Sequence, residues 1–471
     1  MRISKPLCIS IDAPLPAFYP GFEKINMSLP DLDAETLLAC KRISVGAPRR
    51  IGALVRIVGL MLEARGIVAS LGETCSIQSL NGEYIDAEVV GFSDKTTYLM
   101  PYSSPSGIGP GSAVFVRGNS SRVKLGRAML GRVLDARCLP LDGKPAPVCD
   151  DDQSLEGLAL NPMERGPIFE ALDVGVKAIN GVLTIGKGQR IGLMAGSGVG
   201  KSVLLGMITR YTKADVVVIG LIGERGREVN DFIRESLGPE GLAKSVVIAA
   251  PADVSPVLRL RAANVAHLIA EYFRDQGLNV LLLVDSLTRV AHAQREIGLA
   301  VGEPPTMKGY PPSVFALLPR MIERAGVGRN GRGSVTAIYT VLMEGDDVSD
   351  PIVDIARASL DGQVMLSRSL ADAAHYPAID LSGSISRVMP AICTPEVIKA
   401  ANLFRRLWAL YQQNQDLIKV GAYQSGSNPE LDQAIARRGQ MEGMLRQQMH
   451  EGVEIETTVA ALRQFANELG E

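Results

Sequence analysis

"AGSGVGKSVLLGMI", Ala195 to Ile208, decides how the rest of the chain is read. The apolar run "RIGLMA" before it has the texture of a strand, and "KSVLLGMITRY" after the glycines that of a helix. A glycine-rich turn between a strand and a helix is a phosphate cradle. Gly196, Gly198 and Gly200 have no Cβ to obstruct backbone N–H groups converging on phosphate oxygens. The helix N-terminus adds partial positive charge. Lys201 is placed to reach the β- and γ-phosphates of a nucleoside triphosphate such as ATP, and Ser202 to put its hydroxyl on Mg²⁺. The nucleotide-binding set read from this loop is Gly196, Ser197, Gly198, Val199, Gly200, Lys201, Ser202 and Val203. The general pattern G-x-x-x-x-G-K-[ST] asks for glycine where Ala195 stands. Ala195 ends the strand, ahead of the tight part of the loop. The expectation is that this position needs a small side chain and not a positive φ.

Two further stretches carry charge where such a site needs it. "NVLLLVDSLTR" (279–289) reads as a buried strand ending in Asp285, 84 residues beyond Lys201. A carboxylate at the carboxyl end of a parallel strand, beside a phosphate loop, suits a Mg²⁺ shell, partly through water. A polar residue that merely ends a strand is the plain alternative. In "LIGERGREVNDF" (221–232), Glu224 comes first after a strand and is the best-placed group to orient and polarise water against a γ-phosphate. Taken alone, a mixed-charge cluster such as Glu224, Arg225, Arg227 and Glu228 is usually a solvated surface.

Outward from this centre, the chain divides. Residues 1–45 form an N-terminal extension in which Pro14, Pro16 and Pro20 break any early helix. Within it, "LPDLDAETLLACKR" (29–42) is a short amphipathic segment with Leu32, Leu37 and Leu38, either a passive arm or a partner-docking element. Residues 46–117 carry short β-rich runs punctuated by Gly and Ser turns, the texture of a small β-barrel. Residues 118–390 alternate apolar strands with helices. Such a pattern predicts an α/β domain with a parallel sheet covered on both faces. Residues 391–471 are helical, with starts at Thr394–Pro395 and Asn428–Pro429.

Composition narrows the function. The 471 residues carry 49 basic and 51 acidic side chains, a net charge of −2 that argues against bulk nucleic-acid binding. Six scattered cysteines read as reduced thiols, and four isolated histidines predict no zinc site. The N-terminus lacks the apolar run of a signal peptide. No stretch approaches the ~18 apolar residues of a membrane span. The expected location is the cytoplasm.

The central stretch Ala195–Pro256 and "EPPTMKGYPPSVFALLPRMIERAG" (303–326) resemble the flagellar protein-export ATPases, relatives of the catalytic subunit of rotary ATP synthases. The resemblance runs from about residue 45 to the end, and "GKSVLLGM" is more similar to the flagellar branch than to the needle-type (injectisome) branch. It implies a RecA-like P-loop ATPase core with an N-terminal small β-barrel and a C-terminal helical domain, assembled as a homohexamer with nucleotide sites between subunits. By motif position it implies catalytic roles for Glu224 and Lys201, and a phosphate contact for Arg225. Asp285 takes the strand-end acid's place, with Arg289 nearby. Tyr376, in "HYPAID", resembles the tyrosine that packs on adenine. Arg387, in "GSISRVMP", resembles the arginine finger given to a neighbouring subunit. Without the resemblance, Tyr376 reads as a half-buried core aromatic and Arg387 as a surface ion pair. The implied partners are a stator-like flagellar regulator, export-gate components, export chaperones and their substrates. The implied location is peripheral, at the cytoplasmic face of the inner membrane. Other readings are a needle-type secretion ATPase, a non-catalytic rotary ATPase subunit and an RNA-translocating RecA-like hexamer. Glu224 argues against the second of these, and the neutral charge and lack of an aromatic-basic run in the barrel against the third.

Overall fold

Leu54 is buried while its neighbours Ala53 and Val55 face outward. This period-2 alternation is that of a strand with one side in a core. The computed structural model describes residues 51–118, 121–157, 160–343, 347 and 349–469. The expected arm at 1–45, including Leu32, Leu37 and Leu38, lies outside the described residues. Strands β1 (Ile51–Val58), β2 (Met61–Arg65), β3 (Thr74–Gln78), β4 (Tyr84–Ser93), β5 (Thr96–Pro101) and β6 (Ala113–Gly118) close into an antiparallel barrel in the order β1-β2-β5-β4-β3-β6. Its core includes Leu54, Leu62, Ile77, Val89, Leu99 and Val114. Closure leaves no free strand edge.

β7 (Arg122–Leu125) and β9 (Asp151–Ser154) form a two-stranded ribbon, while β8 (Arg132–Leu134) between them joins the edge of the main sheet. That sheet continues with β10 (Arg190–Ala195), β11 (Val216–Ile222), β12 (Ser245–Ala250), β13 (Asn279–Asp285), β14 (Gly326–Val327), β15 (Ser334–Leu342), β16 (Gly362–Leu366) and β17 (Ile379–Ser386). The order is β17-β16-β10-β15-β13-β11-β12-β8, with β14 on β15.

Both faces of the sheet are covered, as the unbroken apolar strands require. Val217, Ile219 and Leu221 of β11 enter one core, with Leu204, Leu205 and Ile208 of helix Lys201–Tyr211. Val216, Val218 and Ile222 enter the other, with Ala262, Ala266 and Phe273 of helix Pro256–Asp275. The wholly parallel sheet expected from the sequence needs correction at its margins. β17 runs antiparallel to β16, and β14 antiparallel to β15. "IDLSGSIS" alternates buried and open positions, so it lacks the continuous apolar run that marks the central strands.

Beyond β17 the described chain is helical. Helix Pro395–Gln413 starts at Thr394, and Asn428 caps helix Pro429–Ala436 by accepting from the backbone N–H groups of Glu430 and Leu431. A further helix, Ile455–Asn467, packs against Pro395–Gln413 through Phe465 on Phe404. Among the described residues, no helix is long and apolar enough to cross a membrane.

Candidate nucleotide site

The site stands at the carboxyl end of the sheet, where β10, β11 and β13 finish. Ala195 is the last residue of β10, fully buried and paired with Leu342. It is not among the residues with positive φ, as its position before the turn led us to expect. Gly198 and Gly200 do adopt positive φ, at 78° and 90°. This backbone is strained for any side chain bearing Cβ, and it curls the loop into the helix starting at Lys201. Val199 turns its side chain into the core, so it can meet a ligand only through its backbone.

Lys201 Nζ donates to Asp285 Oδ1 at 2.6 Å and to Glu224 Oε1 at 3.3 Å. The Lys201, Glu224 and Asp285 side chains are only 12%, 13% and 7% exposed, so this is a shielded ion triad. Burial pulls the Lys201 pKa down, but the Asp285 and Glu224 carboxylates outweigh it and the ammonium is held above its ordinary value. Asp285 also accepts from Thr340 Oγ1 at 2.6 Å, which fixes its carboxylate from β15. Ser202, Glu224 and Asp285 line one small cleft. Its hard oxygen donors suit Mg²⁺ when phosphate oxygens and water complete the shell. Among the described residues, no cluster of three or more His, Cys, Asp or Glu side chains could hold a metal alone.

A cavity of about 680 Å³ opens above the triad, lined by Gly198, Lys201, Ser202, Glu224, Arg289 and Arg368. The Arg225 side chain is 85% exposed, and its ion-pair partner is Glu228 at 3.7 Å. A second cavity, about 350 Å³, lies beside the loop, lined by Gly200, Val203, Met207, Tyr376, Gln447 and Met449. Tyr376 is half-exposed, with its ring beside Gly200. An apolar slot with an open aromatic face suits a planar base.

Arg387 is not part of this assembly. Its backbone N–H donates to Asp361 O, and the Asp361 N–H donates to Arg190 O at the start of β10. Arg190 and Ala195 are the two ends of that strand, five residue steps or about 17 Å apart, so Arg387 is anchored at the end of β10 away from the phosphate loop. Arg387 is exposed, and among the described residues its guanidinium donates to the carbonyls of Leu360 and Arg357, at 3.3 and 3.4 Å.

Among the wall residues that sequence reasoning missed are Arg368, Gln447 and Met449. Arg368 donates from Nη2 to Ser197 O at 3.1 Å, bracing the phosphate loop from outside. Gln447 and Met449 come from the stretch after helix Arg438–Leu445, and the Gln447 N–H donates to Tyr376 O at 3.0 Å. "RQQMHEG" offers no periodic or motif signal. Only the packing of the C-terminal helices against the core delivers it here.

Known proteins resemble the chain along most of its length. Residues 54–115 match the ATP synthase alpha/beta family beta-barrel domain, and 175–386 match that family's nucleotide-binding domain. Residues 393–464 match the T3SS EscN ATPase C-terminal domain. The flagellum-specific ATP synthase of Pseudomonas aeruginosa is 56% identical over 414 residues, 87% of this chain and 92% of that protein. The protein of the same name from Salmonella typhimurium is 55% identical over 426 residues, 88% of this chain and 93% of its own. Among solved structures, the assembled ATPase EscN from the enteropathogenic E. coli type III secretion system superposes with a TM-score of 0.83 at 42% identity, covering 88% of this chain and 99% of that one. Barrel, phosphate-loop core and helical C-terminal region therefore agree with one lineage, and the chain belongs to the ATP synthase alpha/beta family, in its branch of flagellum-specific and type III secretion ATPases.

Proposed function

We propose that this chain hydrolyses ATP to energise protein export through a flagellar type III secretion apparatus, by releasing chaperones and unfolding or delivering substrates. The observation that carries the reading is the shielded triad, with Lys201 Nζ 2.6 Å from Asp285 and 3.3 Å from Glu224 beneath a phosphate loop. A bound triphosphate competes for the Lys201 ammonium, and the two carboxylates then turn to other partners. Ser202 and Asp285 would hold Mg²⁺, Asp285 partly through water, and the ion would neutralise charge on the phosphates. Glu224 orients and polarises the attacking water. Arg225 and Arg289 contact the phosphates from the cavity wall, and adenine lies on Tyr376.

Arg387 serves a neighbour. It sits at the far end of β10 from its own phosphate loop, out of reach of that site, with an exposed guanidinium that holds no carboxylate among the described residues. A homohexamer would bring it to the adjacent subunit's γ-phosphate, where an arginine finger contributes about 10³–10⁵-fold to turnover. Each ring interface then combines the barrel, core and C-terminal parts divided near residues 45, 117 and 390. The expected partners are a stator-like regulator, export-gate components, chaperones and their cargo, with the ring peripheral at the cytoplasmic face of the inner membrane. EscN has been solved with its central stalk EscO, which supports a stalk-type partner here.

One observation supports a needle-type system as the second reading. The type 3 secretion system ATPase of Xanthomonas euvesicatoria is 48% identical over 404 residues. The chemistry is the same, and the cargo differs. A strain lacking the chain tests both. Flagellar filament export should be restored by the parent and not by Glu224→Gln, and purified parent should turn over ATP only with Mg²⁺. Normal filament export in the deletion strain would overturn the flagellar assignment. Rings of Arg387→Ala mixed with Lys201→Ala should regain turnover that neither has alone. No recovery in rings known to be mixed would refute the finger in trans.

A further inference from the structure

β10 links two sites. Its carboxyl end leads into the phosphate loop, while Arg190, its first residue, and Gln189 just before it meet the segment leading to Arg387. The contacts there are dense and specific. Asp361 Oδ2 accepts from the Arg190 backbone N–H at 2.9 Å and from Arg190 Nε at 3.1 Å. The outer side of the Arg190 guanidinium pairs with Glu323. The Asp361 carbonyl accepts from the Arg387 N–H at 3.0 Å and from Gln189 Nε2 at 3.3 Å. Gln189 Nε2 also donates to Ser386 Oγ at 3.1 Å, and Ser386 Oγ donates to Thr184 O at 2.8 Å. Gln189 is fully buried and Ser386 nearly so.

The backbone is tailored to the same end. At Gly362, which follows Asp361, a Cβ would stand 2.3 Å from Ile385 O and 3.1 Å from the Ser386 Cα. Only glycine permits β17 to lie so close, and φ at Gly362 is +159°. The exposed Arg387 side chain therefore hangs from a backbone fixed on three sides. A surface arginine needing no definite aim would not need this frame.

We propose that Asp361 is a positioning residue for Arg387. It locks the start of β10 to the end of β17 and so aims the Arg387 guanidinium at the neighbouring subunit's nucleotide. The inference rests on the reading of Arg387 as a finger in trans. Asp361 touches no nucleotide of its own subunit, being at the opposite end of β10 from the loop. Its loss should therefore act on turnover next door and leave nucleotide binding at home intact.

The test uses the full chain assembled with MgATP. Asp361→Ala should lower kcat by about 10–100-fold, the range expected when a catalytic group is misplaced by about 1 Å. The Kd for a fluorescent ADP analogue should stay within about twofold, because the residue's own loop is untouched. Ser386→Ala, a smaller change that removes the Oγ bridge, is the second variant if Asp361→Ala fails to fold, and it should lower kcat in the same sense with the same unchanged Kd. The decisive readout is complementation. Rings of Asp361→Ala mixed with Lys201→Ala should regain turnover, since a Lys201→Ala subunit still offers a well-held Arg387 to its neighbour's intact loop. Unchanged kcat in the folded variants overturns the inference. So does a loss that mixing does not repair while Arg387→Ala with Lys201→Ala does recover, since the defect would then lie in the subunit's own site. Failure of that Arg387→Ala control refutes the finger in trans itself, and the positioning role falls with it.

Discussion

Removing Lys201 should destabilise the nucleotide-free protein as well as weaken its grip on ATP. The ammonium faces two carboxylates in a shielded pocket, at 2.6 Å from Asp285 and 3.3 Å from Glu224. Lys201→Ala leaves both without a cation. Breaking a buried pair from one side typically costs about 3–5 kcal/mol. The two contacts are unequal. Coulomb attraction falls as 1/r, so at equal dielectric the Asp285 contact is stronger by a factor of about 1.3, the ratio of 3.3 to 2.6 Å. Asp285 in addition anchors Thr340 Oγ1. Asp285→Asn should therefore cost more stability than Glu224→Gln. The double variant Lys201→Ala/Glu224→Gln should be more stable than Lys201→Ala alone by about 1–2 kcal/mol, since one uncompensated charge has gone. Urea unfolding without nucleotide of the parent, Lys201→Ala, Glu224→Gln and the double variant measures the cycle, and Asp285→Asn unfolded alongside tests the inequality. In parallel, Lys201→Ala should bind a fluorescent nucleotide about 10–100-fold more weakly, the worth of one hydrogen bond to a charged group. The reasoning is refuted if Lys201→Ala unfolds within 1 kcal/mol of the parent, a threshold of about twice the scatter of additive cycles, or if the double variant is simply the sum of the singles.

Glu224→Gln should keep nucleotide affinity and lose about 10²–10⁴ in turnover, as for removal of a general base, read by single-turnover hydrolysis. Tyr376→Ala should weaken nucleotide binding by about 1–3 kcal/mol, the worth of one base on an aromatic face, with little change in kcat. His267 bears on stability alone. It is fully buried, with Nδ1–H donating to Ala263 O at 2.7 Å and Nε2 accepting from the Tyr339 hydroxyl at 2.9 Å, and burial pushes its pKa down to about 3. The neutral ring favours the fold above the unfolded value of about 6.5, so that contribution is lost as pH falls, by about 1.4 kcal/mol per pH unit. His267→Gln should show a shallower loss in denaturant titrations as pH falls from about 6.5 towards about 3, the window between the unfolded and folded pKa values. Deleting residues 1–40 should spare ring ATPase activity and abolish co-purification with the stator-like regulator, while unchanged co-purification would make the arm passive.

What the sequence disclosed follows from how local each signal is. Gly198 and Gly200 announce the phosphate loop because backbone conformation, strand end and helix start are all set within a dozen residues. Asp285 was legible for a similar reason, closing the short apolar run "NVLLLVD" that reads as a buried strand. Arg368, Gln447 and Met449 were not, because each reaches the site by packing of distant segments and none has a spacing that marks it. β17 was illegible because an edge strand is only half-buried and alternates polar with apolar residues. Arg387 was found by resemblance alone, and its position explains why. If Arg387 serves another subunit's ligand, as proposed, no partner constellation in its own chain would betray it. What its own chain does supply is the frame: Gln189 just before β10 and Arg190 at its start, Asp361 just before β16 and Gly362 at its start, and Ser386 closing β17. Those residues are scattered over nearly 200 positions. They form one object only because β16 and β17 are laid against β10, so that, on the proposed reading, a single strand would hold the loop for one nucleotide and the brace for the next.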